Sequence, residues 1–421
     1  MPLKDLPIAL EMKDPIHGYI SVTEIERDII DLRLSQRLRY IRSPAGVNLV
    51  FPGADTSLMG RLLGVSFVTE IFLENLGANM EEVIESRLAA MILMLAYGPW
   101  PNVMEEYFTV RGMSRKNIAQ LIIKNSPVTD IIRDSSLSVN EATEMIEKGV
   151  KVKGLTLDLV RTPINPELVD NLERDSYFAG VEYAQLEFRK LFSSTRIAKN
   201  RMAFDRSAIF TLDSYLSAAA NMFDAVYYHK TVRAAELMLL RILDEAGSNI
   251  MPSPEANLDE YLITDDITFH DTLLQAGPGD SEEMKNAKSL FEDYRKRYLI
   301  KTVTSRGIAN ESFLKKLSTP DGLYSVEREI AEEADIDPNN VWVDYPDRLS
   351  VSYFPGKHPL DQLALYERGS RGYEFWRVEE ISGIARSFGR KLKTIRVYTT
   401  RGYRSKVRRP AEKLLESIDT V

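Results

Sequence analysis

Apolar positions recur at helical spacing through most of the first 250 residues. In residues 58–76, Leu62, Val65, Val68, Phe72 and Leu76 share one face, and Gly77 follows where a left-handed residue commonly ends a helix. Residues 81–97 lose that one-sidedness in the run Leu88-Ala89-Ala90-Met91-Ile92-Leu93-Met94-Leu95, which predicts a helix enclosed by its neighbours. Gly98-Pro99-Trp100-Pro101 then stops it. The same spacing predicts helices over 138–148, 167–191, 211–228 and 231–245. Residues 247–254, rich in Gly, Pro, Ser and Asn, read as a connection, after which helical pattern resumes.

Beyond residue 335 the period shortens to two. Residues 341–343, 349–353 and 394–398 are β-branched or aromatic and alternate with polar positions, which predicts short strands. The expected fold class is mainly α, a helical core with a small C-terminal α+β lobe. The boundaries expected are 1–250 for the helical domain, 251–335 for a helical extension and 336–421 for the lobe.

At 421 residues, with 44% hydrophobic and 28% charged positions, the chain is neither disordered nor fibrous. It has no cysteine, which excludes disulfides, thiolate nucleophiles, zinc ribbons and iron–sulfur clusters together. A metal would have to rest on Asp, Glu and the four histidines, His17, His229, His270 and His358. The N-terminus lacks a signal pattern and the longest apolar run is about half a bilayer span, so no membrane partner and a cytoplasmic location are expected. The net charge of −8 is uneven: residues 386–409 carry ten Lys or Arg and no Asp or Glu.

Three blocks carry a resemblance: Asp14-Pro15-Ile16-His17-Gly18-Tyr19-Ile20, then Ser35-Gln36-Arg37-Leu38-Arg39-Tyr40-Ile41, then Val50-Phe51-Pro52-Gly53-Ala54. With Tyr228-His229-Lys230-Thr231-Val232-Arg233 and the terminal Ile395-Arg396-Val397-Tyr398, they make the chain similar to the HD-domain dNTP triphosphohydrolases. That family includes bacterial dGTPase-like enzymes and the mammalian SAM- and HD-domain enzyme. The resemblance implies an HD-type helical core, a tendency to form dimers or higher homo-oligomers, and a divalent metal (Mn, Fe, Mg or Zn) that activates water against a phosphoryl centre.

The family's metal ligands are not matched. Counting from Leu63-Gly64-Val65, the ligand histidine falls on Arg61, which has no lone pair for a metal. The family's His-Asp pair falls on Leu93 and Met94, two further histidines on Tyr97 and Asn102, and the last ligand Asp on Glu173. Tyr177 resembles the substrate-facing tyrosine. These degenerate positions predict no metal and no other cofactor, with Arg61 and Glu173 paired in the ion's place. The function expected is binding, scaffolding or regulation by a pseudo-phosphohydrolase. The alternatives are a divergent phosphohydrolase acting on (d)NTPs or other phosphoesters, with Glu173, Asp170, Asp175 or a distant histidine forming a new centre, and a structural subunit paired with an intact HD-domain paralogue.

Two groups of residues could bind a ligand. Asp31, Gln36, Arg39, His229 and Lys230 are similar to positions with which the mammalian enzyme holds regulatory nucleotides; residues that cap helices or form ion pairs would look the same. Arg390, Lys391, Lys393, Arg401, Arg404, Lys406, Arg408 and Arg409, interleaved with Phe388, Tyr398 and Tyr403, have the mixture that nucleic-acid surfaces use, or simply form a solvated face.

Overall fold

A computed structural model describes residues 7–418 except 136, 161, 163, 199–200, 309, 346–362, 370–371 and 389–393. Helices dominate, and the main core is built around Leu58–Leu76 packed on Met80–Leu95 and on Pro166–Ala179. Leu88 to Leu95 are all buried, as their unbroken apolar run requires. Asn79 caps Met80–Leu95 by accepting the Glu82 backbone N–H at 2.9 Å, with the Glu82 side chain returning to the Asn79 N–H. Among the described residues no helix is long and apolar enough to cross a membrane.

The expected helix over 167–191 is two. Pro166–Ala179 ends at Gly180, whose φ of 69° closes the last turn, and Phe188–Ser193 follows after a loop. The connection expected at 247–254 begins later, because Lys230–Ile250 runs through Gly247. A Cβ there would lie 2.7 Å from the Tyr107 hydroxyl, so Gly247 serves helix packing and does not break the helix. The sequence reading also missed an N-terminal hairpin, Ile8–Asp14 paired with Gly18–Thr23.

The expected boundaries give way to a different division. Residues 258–291 and 363–385 contribute to the same apolar core as residues 20–251. Strand Ala364–Gly369 pairs in parallel with Arg201–Asp205, completing a four-stranded sheet with Thr195–Ala198 and Gly372–Arg377. A second core joins strands Lys301–Gly307, Val341–Asp344 and Thr394–Thr399 to helices Glu311–Leu317, Pro320–Ala334 and Arg404–Ile418. The C-terminal unit therefore draws its first strand from before residue 336, and strand pairing between distant segments is the reason local pattern did not show it. The expected strand at 349–353 and His358 lie outside the described residues.

Two buried arginines fasten the parts. Arg87 meets Glu26 at 2.6 Å and also pairs with Glu70, tying the first helix to the core. Arg233 grips Asp344 through two nitrogens, at 2.9 and 3.2 Å, which holds strand Val341–Asp344 on Lys230–Ile250.

The close approach of Leu58–Leu76 to Pro166–Ala179 depends on Gly64, since a Cβ there would overlap the Asp170 carboxylate and the Arg174 guanidinium. Gly64→Ala is expected to lower stability by about 1–3 kcal/mol through overpacking, measured by urea unfolding; an unchanged midpoint would show that the two helices can separate freely.

Candidate functional site

Helix Pro166–Ala179 starts where Asn165 accepts the Leu168 N–H at 2.8 Å and Pro166 supplies a preset first turn. That start sets which side chains face Leu58–Leu76. At 3.6 residues per turn, Glu167, Asp170, Asn171, Arg174 and Asp175 turn inward, and all are buried.

Arg61, 1% exposed, lies at the centre of this face. Its guanidinium donates to the side chains of Asn171 and Asp175 and, at 3.0 Å, to the Ser43 carbonyl. Asp175 in turn accepts the Tyr227 hydroxyl at 2.7 Å. The carboxylate opposite Arg61 is therefore Asp175, and the expected pairing with Glu173 is corrected. Glu173 sits on the other flank of the helix, where Arg189 and Arg174 are its cationic neighbours.

Two further clusters extend the network. Asp170 accepts from His17 Nε2 at 2.7 Å and Arg174 Nη2 at 2.8 Å, and Arg174 also reaches Asp14 at 2.9 Å. Burial pushes the Asp170 carboxyl up, but Arg174 and His17 outweigh it and hold the group far below the usual range. Glu167 receives two 2.7 Å bonds from Arg115 and one of 2.6 Å from the Tyr97 hydroxyl. Burial opposes ionisation there too, and Arg115 with Tyr97 keeps the carboxyl low.

The other positions serve packing or structure. Leu93 and Met94 are core side chains. Asn102 accepts the Ala45 N–H at 2.9 Å and donates to Glu236. Tyr177 is 63% exposed beside Phe178. His270, pushed down to about 4 by burial, accepts the Trp100 indole N–H at 3.0 Å. Among the described residues no three His, Asp or Glu side chains group in a way that could hold a metal. The alternative centre of Glu173, Asp170 and Asp175 is not assembled, because Asp170 and Asp175 spend their oxygens on Arg174, His17, Arg61 and Tyr227. Sequence reasoning missed Glu167, Asn171 and Arg115; the four-residue spacing of Glu167, Asn171 and Asp175 was the available signal.

The surface candidates divide. Gln36 is occupied locally, donating to the Ile30 carbonyl at 2.7 Å and accepting from Arg39 Nε at 2.8 Å, while Asp31 and Arg39 are exposed. His229 caps its helix by accepting the Thr231 N–H at 3.3 Å, and Lys230 is exposed. Tyr398 is fully buried and offers no stacking face, which corrects that part of the basic-surface expectation. Arg390, Lys391 and Lys393 lie outside the described residues. Arg401, Arg404, Lys406, Arg408 and Arg409 are exposed.

Tertiary structure adds Arg297 and Lys301 to Arg401 and Arg404. Thr399 pairs with Lys301 across the sheet, and Arg401 lies 4.3 Å over the Tyr298 ring. Burial, then Arg401, Arg297 and Arg404, push the Lys301 amine down. Among the described residues none of these four cations has a carboxylate within ion-pair distance. Among the described residues no ion pair relieves the repulsion between them, the condition for attracting a polyanion.

A family model described as HD associated region matches residues 186–420. An uncharacterized protein of Bacillus subtilis, YwfO, is 26% identical over 56% of this chain and 55% of its own length, so the chain spans about half of that relative. The SAMHD1 homolog of Dictyostelium discoideum, whose name is deoxynucleoside triphosphate triphosphohydrolase, is 22% identical over 85% of this chain and 71% of its own. A crystal structure of a hypothetical protein from Aquifex aeolicus shares the fold, with a TM-score of 0.72 at 22% identity over 96% of this chain and 99% of that one.

Asp175→Ala is expected to leave Arg61 buried without its counter-charge and to cost about 3–5 kcal/mol in urea unfolding. The same substitution at Glu173 should cost far less, and equal losses would restore the Glu173 pairing.

Burial, reinforced by Asp170, raises the Glu173 carboxyl to about 8. Its folded value exceeds its unfolded one, so its contribution to stability is full at acid pH and declines as pH rises from the ordinary glutamate range through 8. Glu173→Gln should flatten that part of a melting-temperature profile, and an unchanged profile would place the titration elsewhere.

Proposed function

The chain belongs to the family described as HD associated region, among the HD-domain proteins related to dNTP triphosphohydrolases, and on that premise we propose that it binds phosphorylated ligands without hydrolysing them. The observation that carries this reading is Arg61. It stands at the position that the family resemblance gives to a metal-binding histidine, and its two terminal nitrogens donate to Asp175, Asn171 and the Ser43 carbonyl. A cation fixed there repels a divalent ion, and the carboxylates beside it, Asp175, Asp170 and Glu167, are paired with arginines, which supports a site without a bound Lewis acid.

The ligand-binding part of the proposal rests on Arg297, Lys301, Arg401 and Arg404. Four cations with no carboxylate in ion-pair distance among the described residues suit a chain of phosphates, as in a nucleoside triphosphate, with Arg supplying paired donors and Lys a point charge. Tyr298, 47% exposed beneath Arg401, offers a flat apolar face beside them. Binding there would act through the second core, whose strands are clamped to the helical body by Arg233 and Asp344.

The test pairs two assays on the whole protein. Phosphate or tripolyphosphate release from dGTP with Mn²⁺ should not exceed the rate in buffer; metal-dependent turnover would favour the hydrolase alternative. Calorimetric titration with tripolyphosphate should show binding that weakens at least about tenfold in Lys301→Ala/Arg401→Ala, since two charged donors are lost. No binding by the unaltered protein would overturn the assignment of this surface.

A further inference from the structure

The register of the four-stranded sheet decides which side chains share a face. Arg196 pairs with Ala203, Ala203 with Ala364, and Ala364 with Arg377; one step along, Asp205 pairs with Tyr366 and Tyr366 with Phe375; beyond them Arg368 pairs with Tyr373. Directly paired residues point the same way and every second residue along a strand joins them. Arg201, two residues before Ala203, is therefore on this face as well.

The opposite face carries Phe204 and Leu365 into the main core. The first face does not reach that core. Ala203, Ala364 and Tyr366 form a small cluster of their own, with Phe375 packed against it. Arg196, Arg201, Arg368, Arg377 and Tyr373 stand exposed around it. Four guanidinium groups meet one carboxylate on this face among the described residues, Asp205, which is held by Ser207 and lies near Arg196. Arg377 approaches Glu379 at 3.7 Å beyond the strand, whereas Arg201 and Arg368 have no carboxylate within ion-pair distance among the described residues.

Arginine and aromatic groups are interleaved here. Arg201 lies 4.6 Å over the Phe375 ring, Arg196 5.6 Å over the Tyr366 ring, and Arg196 donates to the Tyr373 hydroxyl at 3.3 Å. The Tyr366 and Tyr373 rings meet edge to face at 5.6 Å.

We propose that this sheet face binds single-stranded nucleic acid. Tyr373, 42% exposed, stands at the rim of the cluster where a base can reach its ring, and the guanidinium planes around it can stack on bases or bond phosphates. Four strands span roughly 14 Å, room for two or three unstacked bases. A duplex hides its base faces and would leave the rings unused. The surface belongs to different strands from the Arg297, Lys301, Arg401 and Arg404 cluster, so the proposal does not rest on the preceding one.

Fluorescence anisotropy with a labelled single strand of about twelve nucleotides at about 50 mM salt tests this on the full chain. The single strand should bind at least about tenfold more tightly than the duplex of the same sequence, because only it can stack. Arg201→Ala, Tyr373→Ala and Phe375→Leu should each weaken binding at least about fivefold, with unchanged melting temperature for the two exposed positions. Lys301→Ala/Arg401→Ala should leave single-strand binding in place. The proposal is overturned by an unbound single strand, by equal affinity for the duplex, or by binding that these sheet variants spare and Lys301→Ala/Arg401→Ala abolishes. Self-association that Arg201→Ala abolishes, without affinity for the single strand, would assign the face to a second copy of the chain instead.

Discussion

A guanidinium removed from water must be met by a carboxylate and by acceptors for its remaining protons, and Arg61 imposes that demand on the centre of the molecule. Asp175, Asn171 and the Ser43 carbonyl meet its two terminal nitrogens. Satisfying them fixes the rotation of Pro166–Ala179, and that rotation places Asp170 against His17 and Arg174, and Glu167 against Arg115 and Tyr97. Gly64 lets the helices approach closely enough for these contacts. The N-terminal hairpin is drawn in as well, because Asp14 and His17 are members of the same network.

Such networks are poor sources of net stability, since desolvation offsets much of their attraction. Their effect is on uniqueness: a helix turned by one residue would strand several charges at once. The same device recurs where Arg87 joins Glu26 and Glu70, and where Arg233 joins Asp344, Glu236 and Glu106. Hydrophobic burial supplies the bulk of the driving force, and the arginines select the arrangement that it adopts.

Inside, every carboxylate of the central helix face is matched by a cation. Outside, among the described residues of an acidic chain, positive charge gathers beside two different sheets. One surrounds Lys301 with arginines; the other interleaves arginines with Tyr373 and Phe375. Attraction toward anions at these places is local and follows from the fold, since the chain as a whole carries a charge of −8.

Local pattern determined the helices around Leu62 and Leu93, the mainly α class and the basic C-terminal stretch, because each depends on residues near one another in the chain. The end of the helix at Gly180 and the passage of another through Gly247 were not legible, since glycine stops one helix by its left-handed backbone and admits a neighbour in the other. Tertiary structure alone decided that Asp175 and not Glu173 meets Arg61: two residues apart on a helix is about 200° of rotation, and only packing says which side is inward. It alone brought Arg297 and Lys301 to Arg401, and Arg196 to Tyr373, across separations of 100 residues or more, which no spacing along the chain encodes.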